Sequence, residues 1–139
     1  MFSKSNLLAI LAATVVMFLL GYLLWGVLTE DFFKSHTITD VSKDPMNFPL
    51  IFVSTLIGAF ILSSVYNKWA RGHHSVKSGL EFGIAVGAFT GISMGLMWYA
   101  TSNMMDFTGF IAEAVIEMVY YGITGIVIAL IYRATQKSQ

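Results

Sequence analysis

The 139-residue sequence contains no cysteine and few charged residues. Without cysteine the chain forms no disulfides, thiolate metal sites or cysteine nucleophiles. Charged residues make up 12% of the chain, whereas a typical soluble domain has about a quarter. Eight basic and eight acidic residues leave a formal net charge of zero, so the basic surplus of a nucleic-acid-binding protein is missing. With an apolar share of 56%, this composition predicts a protein of the lipid bilayer that does not bind nucleic acid.

The motifs of the common enzyme classes are missing as well. The sequence has no phosphate-binding loop, zinc-peptidase motif or nucleophile elbow. We therefore do not expect an enzyme, and the sequence predicts neither a cofactor nor a metal site.

Four apolar runs are each long enough to cross the bilayer, whose hydrocarbon core is about 30 Å thick. They cover approximately residues 7–28, 48–66, 79–100 and 110–132, and a loop of residues 29–47 separates the first two. The first run is too long for a signal peptide and no cleavage site follows it. We therefore predict an all-α fold, a single domain over residues 1–139 that forms a four-helix polytopic membrane bundle. The loop is too short for a domain of its own, but it could form a short helix or a cap.

The positions of the basic residues predict the orientation of the chain. Four crossings place six of them on one side: Lys4, Lys68, Arg71, Lys77, Arg133 and Lys137. The other side receives only Lys34 and Lys43, which lie among acidic residues. By the positive-inside rule both termini are then cytoplasmic. Trp25 and Trp98 fall near the outer ends of their helices, where indole rings anchor helices in the headgroup region.

A ladder of glycines marks the third run. Five glycines recur at every fourth position: Gly79, Gly83, Gly87, Gly91 and Gly95. With 3.6 residues per turn they form one groove, and small residues in membrane helices let two backbones approach closely. The ladder therefore predicts close helix packing. Two interpretations stay open, namely a contact inside the bundle and a self-association face between copies of the chain.

Two acidic residues lie inside the fourth apolar run. Glu113 and Glu117 are four residues apart, so both lie on one face of the helix. Tyr120 and Thr124 continue this polar stripe toward the middle of the bilayer. Two charged side chains at full membrane depth would cost about 5–7 kcal/mol on insertion scales. We therefore expect the stripe to face other helices, with this helix inserting as a partner of the third.

No Lys, Arg or His occurs within the four runs to balance Glu113 and Glu117. Two neighbouring carboxylates cannot both stay ionised cheaply without a cation. A shared proton, a bound cation or a water-filled vestibule would each resolve this. Intramembrane acids are functional candidates by default. The alternatives are structural hydrogen bonding between helices and a ligand or metal site.

Three features of the chain support a resemblance. They are Gly21-Tyr-Leu-Leu-Trp25 at the end of the first run, the glycine-stepped third run, and Tyr121-Gly122 in the fourth. In these features the layout resembles a family of small four-helix bacterial inner-membrane proteins of unknown function. The resemblance implies an inner-membrane location, assigns no activity, and does not extend to Glu113 and Glu117.

Two functions are compatible with these patterns. The first is a small proton- or cation-linked transporter or channel in which Glu113, Glu117, Tyr120 and Thr124 form the titratable site. The second is an accessory or scaffold subunit of a larger membrane complex, which docks through the glycine ladder. In either case the expected partners are lipid and further protein, in a homo-oligomer or a larger complex.

Overall fold

A computed structural model describes residues 3–136, so Lys137, one of the predicted cytoplasmic residues, lies outside the described part. Within that part the regular secondary structure is helical, apart from one isolated bridge between Thr37 and Met105. The helices are α1 (Lys4–Leu28), α2 (Glu30–His36), α3 (Phe48–Ala70), α4 (Val76–Thr101) and α5 (Phe107–Gln136). All except α2 are long and apolar enough to cross a membrane. The prediction of an all-α fold with four such helices is confirmed over residues 3–136.

Three of the four long helices, α1, α4 and α5, start before the predicted apolar runs, whereas α3 starts at Phe48 as predicted. Polar residues cap the starts of α1, α3 and α4. The side chain of Ser3 accepts a hydrogen bond from the backbone N–H of Asn6, and that of Asn47 accepts one from Leu50. Ser75 forms a reciprocal capping box with Ser78 at the start of α4. Such caps satisfy backbone donors that the first turn leaves free. The helices therefore extend a few residues beyond most of the predicted boundaries.

The glycine ladder of α4 packs against α5 of the same chain. A Cβ added at Gly83 would collide with the carbonyl oxygen of Tyr121, and one at Gly87 would lie 2.5 Å from the Cα of Met118. At Gly91 the nearest atom is the Cα of Ala114, at 2.7 Å. Backbone therefore meets backbone at these positions, and only glycine fits there. This packing is the contact inside the bundle, the first of the two interpretations of the ladder. Helix α5 covers the glycine face of α4.

Helix α1 packs against both α3 and α5. Ala9, Ala13 and Met17 of α1 are buried in the core, together with Ala59 of α3 and Ile128 of α5. At one end of this contact, the hydroxyl groups of Ser63 and Tyr132 both donate to Oδ1 of Asn6, at 2.6 and 2.8 Å. The helices thus lie in the order α3, α1, α5 and α4, and α5 has neighbours on two sides.

The loop between the first two long helices forms α2 and then docks on the segment before α5. The backbone N–H of Ile38 donates to the carbonyl oxygen of Met104 at 2.9 Å. The backbone N–H of Asp106 donates to the carbonyl oxygen of His36 at 3.0 Å. The side chains of His36 and Asp106 also pair, with 2.7 Å between Nδ1 and Oδ2. This loop therefore holds residues 104–106 in place. We call this end of the bundle, which carries α2 and residues 104–106, the α2 end.

Candidate functional site

Glu113 and Glu117 lie one turn apart on α5, toward the α2 end. Both side chains are half-buried, and both face the neighbouring helices α1 and α4 through hydrogen bonds. At this spacing their Cβ atoms are about 5–6 Å apart. The predicted stripe is therefore turned toward protein at these two positions, which matches the expectation from the cost of exposing acids to lipid.

Each glutamate accepts a hydrogen bond from a different helix. The indole Nε1 of Trp25 on α1 donates to Oε2 of Glu113 at 2.8 Å. The hydroxyl of Thr90 on α4 lies 3.2 Å from Oε2 of Glu117. The two acids thus connect α5 to both of its neighbours.

Both donors belong to π-helical segments. Trp25 lies in Leu24–Leu28, at the end of α1, and Thr90 lies in Phe89–Met94, in the middle of α4. These are the two π-helical segments in residues 3–136. Such segments are rare in proteins and occur frequently at functional sites. Here each one presents a polar side chain to one member of the acidic pair.

Two clefts meet at Glu117. The α4 cleft has a volume of about 320 Å³ and is lined by residues that include Thr90, Met94, Trp98, Tyr99, Phe110 and both glutamates. The α1 cleft, of about 410 Å³, is lined by residues that include Met17, Trp25, Phe48, Thr55, Glu117 and Tyr120. Glu117 is the residue that lines both. Glu117 therefore borders two separate spaces.

The rest of the predicted stripe has a different environment. Tyr120 lines the α1 cleft beside Glu117, and its hydroxyl donates to the carbonyl oxygen of Met17 at 3.2 Å. Thr124 is buried, and its hydroxyl donates to the carbonyl oxygen of Tyr120 in its own helix at 2.8 Å. The structure therefore brings Tyr120 to the acidic pair but gives Thr124 a local contact within α5.

The two tryptophans predicted as interface anchors differ from each other. Trp25 turns inward, where it binds Glu113 and packs edge-on against Tyr120 with 5.2 Å between ring centroids. Trp98 is 57% exposed and lines the α4 cleft. The indole donor of Trp25 is thus used inside the bundle, and the anchor role of both tryptophans stays a prediction.

Sequence reasoning missed Thr90 as a site residue. Its position next to Gly91 is the signal that could have found it, since a residue adjacent to the ladder lies at the edge of the α4–α5 contact. Nothing in a local pattern indicates that Thr90 and Glu117, which are 27 residues apart, come within hydrogen-bonding distance.

The acidic pair has no ionic partner in the described part of the chain. The ion pairs found between residues 3 and 136 join Lys34 to Glu30, Lys77 to Glu81 and His36 to Asp106. Over the same residues no three His, Asp or Glu side chains come close enough together to hold a metal ion. The site is therefore acidic and lacks the ligand set of a structural metal centre.

Among the titratable groups outside the long helices, Asp106 and His74 have pKa values shifted by contacts near the two ends of the bundle. The backbone N–H of Gly109 and then the side chain of His36 hold the pKa of Asp106 below its usual range. At the opposite end, burial lowers the pKa of His74, whose ring stacks on Tyr132 with 4.8 Å between centroids. Asp106 thus stays ionised at the start of α5, where the helix dipole stabilises a negative charge.

No protein-family model, curated protein or solved structure matches this chain. The resemblance drawn from the sequence therefore adds no activity, and the function is argued from the geometry of the acidic pair.

Proposed function

We propose that this chain is a multi-pass protein of the bacterial inner membrane that transports a proton or a small cation by means of Glu113 and Glu117. In this proposal α1, α3, α4 and α5 cross the bilayer and both termini are cytoplasmic. The α2 end, which carries the acidic pair and both clefts, then faces the outside.

The surface of the four long helices supports a membrane location. Large apolar side chains point outward on all of them, for example Leu19 (60% exposed), Ile61 (53%) and Phe89 (62%). Apolar surface of this extent is rare on monomeric soluble proteins, but lipid covers it without cost. The same surface would also accommodate the homo-oligomer expected from the sequence.

The position of Glu117 between the two clefts carries the transport proposal. A carrier group must be reached from one space, bind its ion, and then release it to another. Glu117 lines both the α4 cleft and the α1 cleft, and in the proposed cycle its side chain moves from one space to the other. A purely structural hydrogen bond between helices would not require access from both sides.

The two hydrogen-bond partners suggest different roles for the two acids. An indole N–H only donates, so the oxygen of Glu113 that meets Trp25 acts as an acceptor. A hydroxyl both donates and accepts, and Thr90 also has the carbonyl oxygens of Val86 and Gly87 at 3.2 Å. Thr90 can therefore donate to an ionised Glu117 or accept from a protonated one. On this basis we assign the proton exchange to Glu117.

Proton flux through liposomes tests this proposal. Purified protein is reconstituted with a pH-sensitive dye inside the vesicles, and a potassium diffusion potential drives proton uptake. We expect the parent to take up protons faster than protein-free liposomes. The uptake rate of Glu117→Gln should fall to that of protein-free liposomes, because glutamine has no titratable carboxyl group.

The matched control is Glu81→Gln, which removes the same charge from an exposed residue paired with Lys77 at 3.8 Å. This variant should retain the flux of the parent. Equal flux through the parent and Glu117→Gln would exclude Glu117 as the carrier. A parent that is no faster than protein-free liposomes, with or without sodium and potassium gradients, would exclude transport of these ions.

An accessory or scaffold subunit is the alternative function. The glycine ladder, through which such a subunit was expected to dock, is covered by α5. A partner would therefore need a different face of the bundle. For this reason transport is the function that we propose.

A further inference from the structure

The α4 cleft combines an acidic end with an aromatic and thioether wall. Glu113 and Glu117 lie at its acidic end, together with the hydroxyl group of Thr90. The remainder of the wall is mostly apolar and consists chiefly of Met94, Trp98, Tyr99, Met104, Met105 and Phe110. A site for a proton alone would need only the acids.

The aromatic wall is ordered by contacts among its own rings. Tyr99 stacks on Phe110, with ring centroids 5.7 Å apart and an angle of 28° between the planes. Trp98 stays 57% exposed beside them and Met94 38% exposed, so the cleft is open on the α4 side. A ligand could therefore reach the rings without unfolding any helix.

The charges around the cleft select against anions. Its lining contains two carboxyl groups and no Lys, Arg or His. Even with one proton shared between the acids, one negative charge is left for a ligand to balance. A single positive charge therefore fits the pair best.

The lining also argues against a tightly bound divalent metal ion. Hard cations such as Ca²⁺ bind about six to eight oxygen ligands, and no three acidic or histidine side chains converge in the described residues. Aromatic rings, by contrast, attract organic cations through their π faces. Methionine side chains adapt to irregular apolar groups. These features favour a cation that also has an apolar body.

We propose that the α4 cleft binds a monovalent organic cation, an amine or quaternary ammonium with an aromatic or branched alkyl group, whose charge lies beside Glu113 and Glu117. The volume of about 320 Å³ is near the lower end for small-molecule sites, so the ligand is small. The inference names the substrate class of the proposed transporter and rests on that function for transport, whereas binding is tested on its own.

Radiolabelled phenyltrimethylammonium is the probe, measured for saturable binding to the full chain in detergent. Its neutral isostere tert-butylbenzene, in which carbon replaces the charged nitrogen, is the matched competitor. We expect unlabelled phenyltrimethylammonium to displace the label and the neutral isostere to fail. Displacement by both compounds to the same extent would overturn the inference, because the cleft would then be a general apolar pocket.

Two sets of variants locate the binding in the α4 cleft. Glu113→Gln/Glu117→Gln should abolish saturable binding, and Glu81→Gln should leave it unchanged. Trp98→Leu should weaken binding by about two- to thirty-fold, the range of a cation–π contact, whereas Trp69→Leu, at a position 47% exposed near the opposite end of the bundle, should not. Trp98→Leu changes an exposed residue and retains both carboxyl groups, so it tests the inference even if the double variant does not fold.

Absence of saturable binding, or binding that neither Trp98→Leu nor the double variant weakens, would overturn the inference. Its failure is distinguishable from failure of the proposed function. Flux that depends on Glu117 without binding of the probe would leave transport standing and reject the organic cation. Binding that depends on Glu113 and Glu117 without any flux would support the inference and reject transport.

Discussion

Hydrogen bonding at Glu113 and Glu117 shows how single residues determine the character of the site. A half-buried carboxyl group is unfavourable unless a donor meets it. Trp25 meets Glu113 at 2.8 Å and Thr90 meets Glu117 at 3.2 Å. Neither donor brings a charge, so the site stays free to bind a cation or a proton.

The contact between Trp25 and Glu113 is testable by a double-mutant cycle. Trp25→Phe keeps an aromatic ring but removes the donor, and we expect it to lower the free energy of unfolding in detergent by about 1–3 kcal/mol, the cost of an unsatisfied polar group. Combined with Glu113→Leu, which removes the acceptor, it should cost much less than the sum of the two single changes. Additive effects would mean that Trp25 only packs against its neighbours.

At the scale of elements, the contact between α4 and α5 depends on glycine for space. The ladder places backbone against backbone from Gly79, which meets Gly125, to Gly91, which meets Ala114. At Gly95 the ring of Phe110 fills the space. Thr90, in the π-helical segment beside Gly91, meets Glu117 along this contact. Packing and site are therefore parts of one arrangement.

Adding a methyl group to the ladder tests this arrangement. Gly83→Ala would place a Cβ against the carbonyl oxygen of Tyr121, which is backbone and cannot move aside. We expect a loss of about 1–3 kcal/mol in the free energy of unfolding in detergent, as for other overpacked sites.

Gly21→Ala is the control for this substitution. It also adds a methyl group to a helix, but its nearest contact is the ring of Tyr120 at 3.7 Å. It should change the free energy of unfolding by less than about 1 kcal/mol. An equal loss of unfolding free energy in both variants would show that the backbone contact at Gly83 does not explain the need for glycine in the ladder.

At the scale of the whole molecule, α5 lies between α1 and α4 and so carries the acids where both neighbours reach them. Because helix pairs on either side of α5 leave separate clefts, Glu117 faces two spaces. The His36–Asp106 pair and the docked loop close the same end of the bundle. In the proposed orientation this end is the outer one.

The absence of cysteine allows a direct test of that orientation. Asp40→Cys places a single thiol in the exposed loop after α2, and His73→Cys places one in the exposed loop between α3 and α4. Since the basic residues predict opposite sides for these loops, a membrane-impermeant maleimide should label Asp40→Cys in intact cells. It should label His73→Cys only after permeabilisation. The reverse pattern would invert the proposed topology.

The sequence by itself determined the long helices and the presence of acids within one of them. Apolar runs and capping residues such as Ser75 are local signals, and spacing alone places Glu113 and Glu117 on one helix face. The ladder likewise predicted a close contact, because regular glycines have no other use in a helix interior.

Only the tertiary structure decided which helix fills the ladder, which donors meet the acids, and that Glu117 faces two clefts. These features depend on residues far apart in the chain, such as Trp25 and Glu113, whose separation of 88 positions carries no periodic signal. The inward turn of Trp25 has the same origin. Trp25 lies in the π-helical end of α1. Its indole N–H donates to Glu113 of α5.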